Sequence, residues 1–434
     1  MFDMKMFRMA ANNGDSVNEN EFFDYLMGFE HIILWGAGNL GIAIGAKLSE
    51  MKVPITSYWD VKSHEIGLIR GVAVTQPFTG EYDKEKTLIV TCISNGSSGG
   101  EWTKGQLEGY GFKHILNGKD VFEGLMCQLA LETGLNTQTC LDATMCNICA
   151  CDRFVNMLRK VVHRKKSASL ADELNFNVMT FVINQKCSLK CKHCGQYMNS
   201  YHPTERINFP FERIRNDIDR FLDAVDVVGV ISIIGGEAFL HPDFNKIVNH
   251  VLSKSNFGVI SITTNGVCKM TRTQLAGLKN SRVKIFFSNY TGQLSPKQQE
   301  LFEKNVALVK SNGINFSIGV PIWSLPSRLD RKPYSVETMT DMKLGCGAIK
   351  MCMSVKNGKF FPCSASEPIH FLGLGDYSSD YVDISNTPSR EELRRKIGSA
   401  IEQPYYQSCA HCGGDCGDLL SLSGEQGLDE RYLH

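Results

Sequence analysis

The chain has 434 residues, 43% of them hydrophobic and 21% charged, and its 46 basic side chains are matched by 46 acidic ones. That length suggests two or three domains, and nothing in the charge balance advertises a nucleic-acid or anionic-membrane surface. No apolar run approaches the ~18 residues of a membrane span, and residues 1–20 are polar, without a signal-peptide core. Sixteen cysteines in such a chain read as reduced, cytoplasmic thiols available to metal rather than as disulfides.

In chain order, residues 1–29 form a lead-in. His31 to Trp35 then reads as a buried strand, followed by Gly36-Ala37-Gly38-Asn39-Leu40-Gly41 and an apolar-periodic helix to about Met51. A second strand over Pro54 to Trp59 ends at Asp60, and further strands are expected at 71–74, 87–92 and 114–116. This predicts a Rossmann-like α/β domain over 30–130. Its glycine turn could set a helix N-terminus against the pyrophosphate of NAD or a nucleotide sugar, with Asp60 on a ribose hydroxyl. The same turn also serves helix–strand packing alone, and both readings stand.

Residues 131–175 make a linker carrying Cys140, Cys146, Cys149 and Cys151. This run could hold a metal or be a helix with buried thiols. Cys92, Cys127 and Cys268 stand alone in apolar surroundings and read as core.

Residues 176–335 alternate strands (178–183, 227–234, 258–263, 282–288, 314–320) with helices (211–224, 244–253, 271–279, 296–311). Such alternation predicts parallel strands joined by helical crossovers. Just after the first strand, Cys187, Cys191 and Cys194 are spaced C-x3-C-x2-C. Three local thiolates can hold three corners of a [4Fe–4S] cluster and leave the fourth iron open; a zinc site with a distant fourth ligand is the competing reading. The second strand ends in Gly235-Gly236-Glu237, where glycines permit close backbone approach and a carboxylate suits an ammonium.

Residues 336–434 hold Cys346, Cys352, Cys363, Cys409, Cys412 and Cys416. A hairpin is expected over 353–361, turning at Asn357-Gly358.

Together the cysteine trio and the Gly-Gly-Glu forty residues on resemble the radical S-adenosylmethionine (SAM) enzymes. The resemblance implies a partial (β/α)6 barrel with its chemistry at the C-terminal strand ends, an N-terminal Rossmann-like domain and a small C-terminal cysteine-rich domain. It implies that Cys187, Cys191 and Cys194 bind the cluster, and that Gly235, Gly236 and Glu237 hold the SAM amino group. Thr264, Asn265 and Ser288 are implied to contact SAM. Cys346, Cys363, Cys409 and Cys412 resemble a twitch, or shortened SPASM, site for a second [4Fe–4S] cluster. Cys352 competes with Cys346 for that role.

Such an enzyme takes an electron from a donor such as flavodoxin or ferredoxin and cleaves SAM to a 5′-deoxyadenosyl radical. With an electron-accepting auxiliary cluster it would oxidise an alcohol or amine; with a hydrogen-donating thiol, Cys352 or Cys416, it would epimerise. The N-terminal half and the ending Cys409 to Gln426 are similar to radical SAM proteins encoded beside glycosyltransferases, which implies a sugar or glycan-linked small molecule. A peptide maturase and a non-catalytic SAM or redox module are the alternatives.

Overall fold

The computed structural model describes residues 19–93, 99–118, 120–122, 158, 173–319, 323–324, 331–346, 352–363, 365–375, 377–412, 420–421 and 423–427. Chain contacts divide it into two units, Met1–Asn136 and Thr137–His434. The run Cys140 to Cys151, Cys127 and Cys416 lie outside the described residues.

In the first unit, the apolar pentamer His31–Trp35 is strand β1, buried at four of five positions. It is flanked by β2 (Ser57–Trp59) and β5 (Thr87–Thr91), each buried throughout. Strands β3 (Leu68–Ile69), β4 (Val72–Thr75) and β6 (His114–Asn117) complete the sheet, in the order β3-β4-β2-β1-β5-β6. Every pair is parallel except β3 with β4. The five parallel strands thus run 3-2-1-4-5, the doubly wound order expected of a Rossmann-like domain. Continuous apolar runs suit such strands because both faces of a parallel sheet are covered; Ile33, Trp35, Trp59, Ile89, Leu107 and Phe112 form one cluster of its core.

The glycine turn is explained largely by packing. A Cβ on Gly41 would overlap the Gly36 carbonyl, and Gly36 itself, at φ 122°, lies against the Cys92 carbonyl. A Cβ on Gly38 would meet nothing within 4 Å among the described residues. Asp60 accepts from the Ala37 amide at 2.8 Å and the Lys62 amide at 2.9 Å, so its carboxylate ties the turn to the end of β2. Cys92 is buried, as expected of a core thiol, and burial pushes it up to about 12.

The second unit is built on β7 (Asn175–Val182), β8 (Val227–Ile234), β9 (Phe257–Thr264), β10 (Val283–Ser288) and β11 (Asn315–Gly319). All four neighbouring pairs are parallel. Helices Phe211–Ala224, Phe244–Leu252, Arg272–Ala276 and Pro296–Ser311 alternate with them. Ile214, Ile218, Phe221 and Leu222 recur at helical spacing and bury one face of the first helix against the sheet. Pro296 at the first turn and a Ser295–Gln298 capping box start the last helix.

The sheet then departs from a simple six-strand series. The short strand β12 (Trp323–Ser324) pairs antiparallel with β16 (Leu420–Ser421) instead of extending β11, so five of the six expected barrel strands are present among the described residues of this sheet. At the opposite edge, β13 (Ser354–Lys356) adds parallel to β7, and β14 (Lys359–Phe361) and β15 (Val382–Asp383) follow antiparallel. The sheet therefore runs unbroken from the expected core into the expected C-terminal domain. The hairpin turn is Asn357-Gly358 with φ 46° and 84°, positive at both positions as a two-residue turn requires.

Candidate active site

Because β7, β8, β9 and β10 are adjacent and parallel, their C-terminal ends meet at one edge. β7 leads into the loop bearing Cys187, Cys191 and Cys194; β8 ends at Gly235-Gly236-Glu237; β9 ends at Thr264 and Asn265; β10 ends at Ser288. The topology brings together every residue the sequence placed at these strand ends.

Asn184, fully buried, locks loop to strand. Its Oδ1 accepts from the Gly236 amide at 3.1 Å and its Nδ2 donates to the Glu237 carbonyl at 3.0 Å. The Glu237 amide donates to the Lys186 carbonyl at 2.7 Å. A Cβ on Gly235 would overlap Asn184 Oδ1; one on Gly236 would overlap the Lys186 carbonyl and lie 2.9 Å from Cys187 Cβ. Both glycines are thus required by the approach of the cysteine loop.

The Glu237 carboxylate, offered by the sequence to an ammonium, is here committed to protein donors. Oε1 accepts from Thr264 Oγ1 at 2.9 Å and the Phe239 amide at 3.2 Å, and Oε2 from the Asn265 amide at 2.9 Å. Burial raises its pKa, opposed by these donors and by the Cys268 thiol. Cys268 is buried, as expected, but also bonded to this carboxylate. Glu237 and Thr264 therefore pin β8 to β9.

Asn265 turns the other way. Its Nδ2 donates to Cys187 Sγ at 3.6 Å, while Oδ1 accepts from Ser188 Oγ at 3.2 Å and the Val267 amide at 2.8 Å. Ser288 is buried and bonded to the Tyr290 hydroxyl, whose pKa burial raises. Leu189, Cys191, Val267 and Tyr290 form an apolar cluster against which Cys187 and Cys194 pack.

The residues fit an iron–sulfur cluster. Burial raises all three thiols, Cys191 up to about 11, yet each sulfur also receives N–H donors: Leu189 and Asn265 on Cys187, Gln426 on Cys191, and the amides of residues 196–198 on Cys194. Soft ligands in an apolar pocket with N–H groups aimed at sulfur suit thiolates bound to iron. No three His, Cys, Asp or Glu side chains among the described residues close around a single ion. In a cubane cluster each thiolate binds a different iron.

A second thiol group lies in the C-terminal part. Cys346, Cys363, Cys409 and Cys412 line one cavity together with Lys343 and Tyr406. Burial pushes Cys363 up to about 12 and Cys409 up to about 11. Cys352, two residues before β13, is absent from the lining, so geometry favours Cys346 as the fourth member.

A further buried network, which the sequence did not disclose, joins Tyr201 to Lys356, Ser354 and Glu367. Lys356 Nζ, fully buried, donates to Glu367 Oε1 at 2.8 Å and Tyr201 OH at 3.1 Å, and Ser354 Oγ donates to Glu367 Oε2 at 2.9 Å. Burial works against the ammonium, but Glu367 overcomes it and holds Lys356 above the ordinary lysine value. A lysine beside a hairpin turn looks solvent-facing in sequence; only β13's position against β7 buries it. Asn184 left a weak signal, an amide directly between an apolar strand and the cysteines. Gln426 left none.

Residues 181–289 match the model of the Radical SAM superfamily. This stretch runs from β7 to the residue after β10 and contains the trio, Gly235–Glu237, Thr264, Asn265 and Ser288. The chain carries a radical SAM domain. Its cofactors are accordingly a [4Fe–4S] cluster and SAM. Over 154 residues the chain is 27% identical to the antilisterial bacteriocin subtilosin biosynthesis protein AlbA of Bacillus subtilis (strain 168); the match spans 33% of this chain and 33% of that relative's length. Among solved structures, the chain is similar to BtrN in complex with AdoMet and 2-DOIA (15% identity, 60% of this chain, 98% of that one, TM-score 0.34). It is also similar to SuiB of Streptococcus suis bound to the precursor peptide SuiA (15% identity, 61% and 76%, TM-score 0.34). Around the radical SAM domain, no helix among the described residues is long and apolar enough to cross a membrane.

Proposed function

We propose that this chain is a cytoplasmic radical SAM enzyme in which Cys187, Cys191 and Cys194 hold the SAM-binding cluster, and Cys346, Cys363, Cys409 and Cys412 hold an auxiliary one. The observation that carries this reading is the convergence of the cysteine loop, Gly235-Gly236, Asn265 and Ser288 at one edge of a parallel sheet. Cluster and SAM together supply, when bound, a 5′-deoxyadenosyl radical able to remove hydrogen from an unactivated C–H bond. The chain's own residues hold and orient. Asn184 and Glu237 fix the loop against β8 and β9, and Asn265 steadies Cys187. Leu189, Val267 and Tyr290 supply an apolar wall that excludes water from a reactive centre.

For the substrate, we infer a small sugar or glycan-linked molecule that is oxidised, or epimerised if Cys352 or Cys416 returns a hydrogen atom. The doubly wound order of the N-terminal unit supports this, since such a sheet is a nucleotide-type scaffold rather than a peptide-binding winged helix. A peptide substrate is the second reading, supported by the likeness to a bacteriocin biosynthesis protein.

The test is iron content and 5′-deoxyadenosine formation in anaerobic protein with a flavodoxin-type reductant. We expect about eight irons, falling to about four with loss of SAM cleavage when Cys187, Cys191 and Cys194 are all changed to alanine. Cys346→Ala should lose the auxiliary irons and Cys352→Ala keep them. Retention of all iron and of SAM cleavage in the triple variant would sink the assignment. About twelve irons in the unmodified chain would place a third cluster at Cys140 to Cys151. Deuterium transfer into 5′-deoxyadenosine from labelled nucleotide sugars, against labelled peptides, separates the two substrate readings.

A further inference from the structure

Residues 423–427, some 230 positions from the cysteine loop in sequence, lie directly on it. Gln426 and Cys191 form an antiparallel bridge. The Lys192 amide donates to the Glu425 carbonyl at 2.7 Å and the Gly427 amide to the Lys190 carbonyl at 2.9 Å. Lys192 Nζ meets Glu425 Oε1 at 3.1 Å, and Asn199 Nδ2 donates to the Cys191 carbonyl at 2.8 Å and the Gly427 carbonyl at 3.5 Å. Gly424, at φ 80°, lets this strap press onto Tyr290, whose ring a Cβ there would meet at 2.5 Å.

The Gln426 side chain sits at the centre. Its Oε1 accepts from the Lys190 amide at 2.9 Å, which fixes the amide orientation, since a backbone N–H needs an oxygen. Nε2 therefore faces the other way, donating to Cys191 Sγ at 3.4 Å and to the Gly424 carbonyl at 2.6 Å.

We propose that Gln426 is a positioning residue for Cys191, whose N–H···S bond raises the reduction potential of the cluster held by Cys187, Cys191 and Cys194. This rests on the radical SAM reading of the trio. Reduction adds negative charge shared by cluster and thiolates, and an N–H donor aimed at sulfur favours the more negative form. Removing the donor should lower the potential. Merely loosening the strap should do the opposite, because water admitted to the site also favours the more charged, reduced form. The sign of the shift thus separates an electronic role from a structural one.

The experiment is an EPR-monitored dithionite titration of the full-length, cluster-loaded protein without SAM, comparing wild type, Gln426→Leu, Gln426→Met and Asn199→Ala. Gln426→Met keeps the length and neutrality of the side chain while removing the donor. It guards against failure of Gln426→Leu to hold its fold. Both Gln426 variants are expected at lower potential than wild type. Asn199→Ala, which removes a tie to the Cys191 and Gly427 carbonyls and leaves both the charge and the N–H···S bond in place, is expected unchanged or higher. Unchanged or raised potentials in both Gln426 variants would overturn the proposal while leaving the radical SAM reading intact. Absence of a reduced-cluster signal assigned to the trio in wild type would overturn both.

Discussion

At the scale of single residues, glycines of one chain differ by what stands beside them. A methyl group on Gly236 would strike backbone at Lys186 and the Cys187 side chain, neither of which can swing away, whereas one on Gly292 would meet nothing within 4 Å among the described residues. Gly236→Ala should destabilise the second unit by about 1–3 kcal/mol, with fewer irons retained, and Gly292→Ala by less than about 0.5 kcal/mol. Chemical denaturation and iron analysis of the two variants check this; equal behaviour would mean that the loop yields where the structure holds it tight. Glu237 shows the converse. The carboxylate read from the sequence as an ammonium partner is also a cross-strand tie, because β8 and β9 lie side by side and their ends bring amide and hydroxyl donors to it.

At the scale of elements, the hairpin of β13 and β14 is held from outside by the helix Phe211–Ala224. The Gly358 amide donates to Asp217 Oδ2 at 2.8 Å, while Asp217 Oδ1 is buried with no hydrogen-bond partner among the described residues. Burial pushes the Asp217 carboxyl up to about 6, opposed by the Gly358 amide and by Arg213. A carboxyl raised on folding is protonated more readily in the folded chain. Its contribution is therefore fully present below the unfolded value near 4 and is lost as pH rises to about 6. Asp217→Asn keeps an acceptor for Gly358 and removes the buried charge. It is expected to flatten this part of the pH–stability profile and to gain about 1–3 kcal/mol at neutral pH. A profile still sloping in the variant would assign the slope to another group. The Asn357-Gly358 turn was legible in the sequence as a hairpin, but its docking partner was not, since nothing local in residues 353–361 specifies β7 as the neighbour.

At the scale of the whole molecule, the two units have separate sheets, and every candidate iron ligand among the described residues lies in the second. Calorimetry should show two transitions, and iron chelation should lower only one of them. A single transition, or both falling together, would mean that the units unfold as one. The radical SAM domain itself was legible because its signals are local: apolar strand runs of the right length, glycines at their ends and three cysteines within eight residues.

Local spacing by itself therefore determined the parallel strands, the order of the helices and the cysteine trio. Tertiary structure alone decided that β13 joins β7 rather than a separate domain, that Lys356 is buried against Glu367, and that Cys346 rather than Cys352 faces the cavity. It also laid Gln426 on Cys191. These are contacts between segments tens to hundreds of residues apart. The hydrogen bonds and burial that select them are made with partners that neither segment encodes by its own pattern, so they exist only once the sheet has brought the segments together.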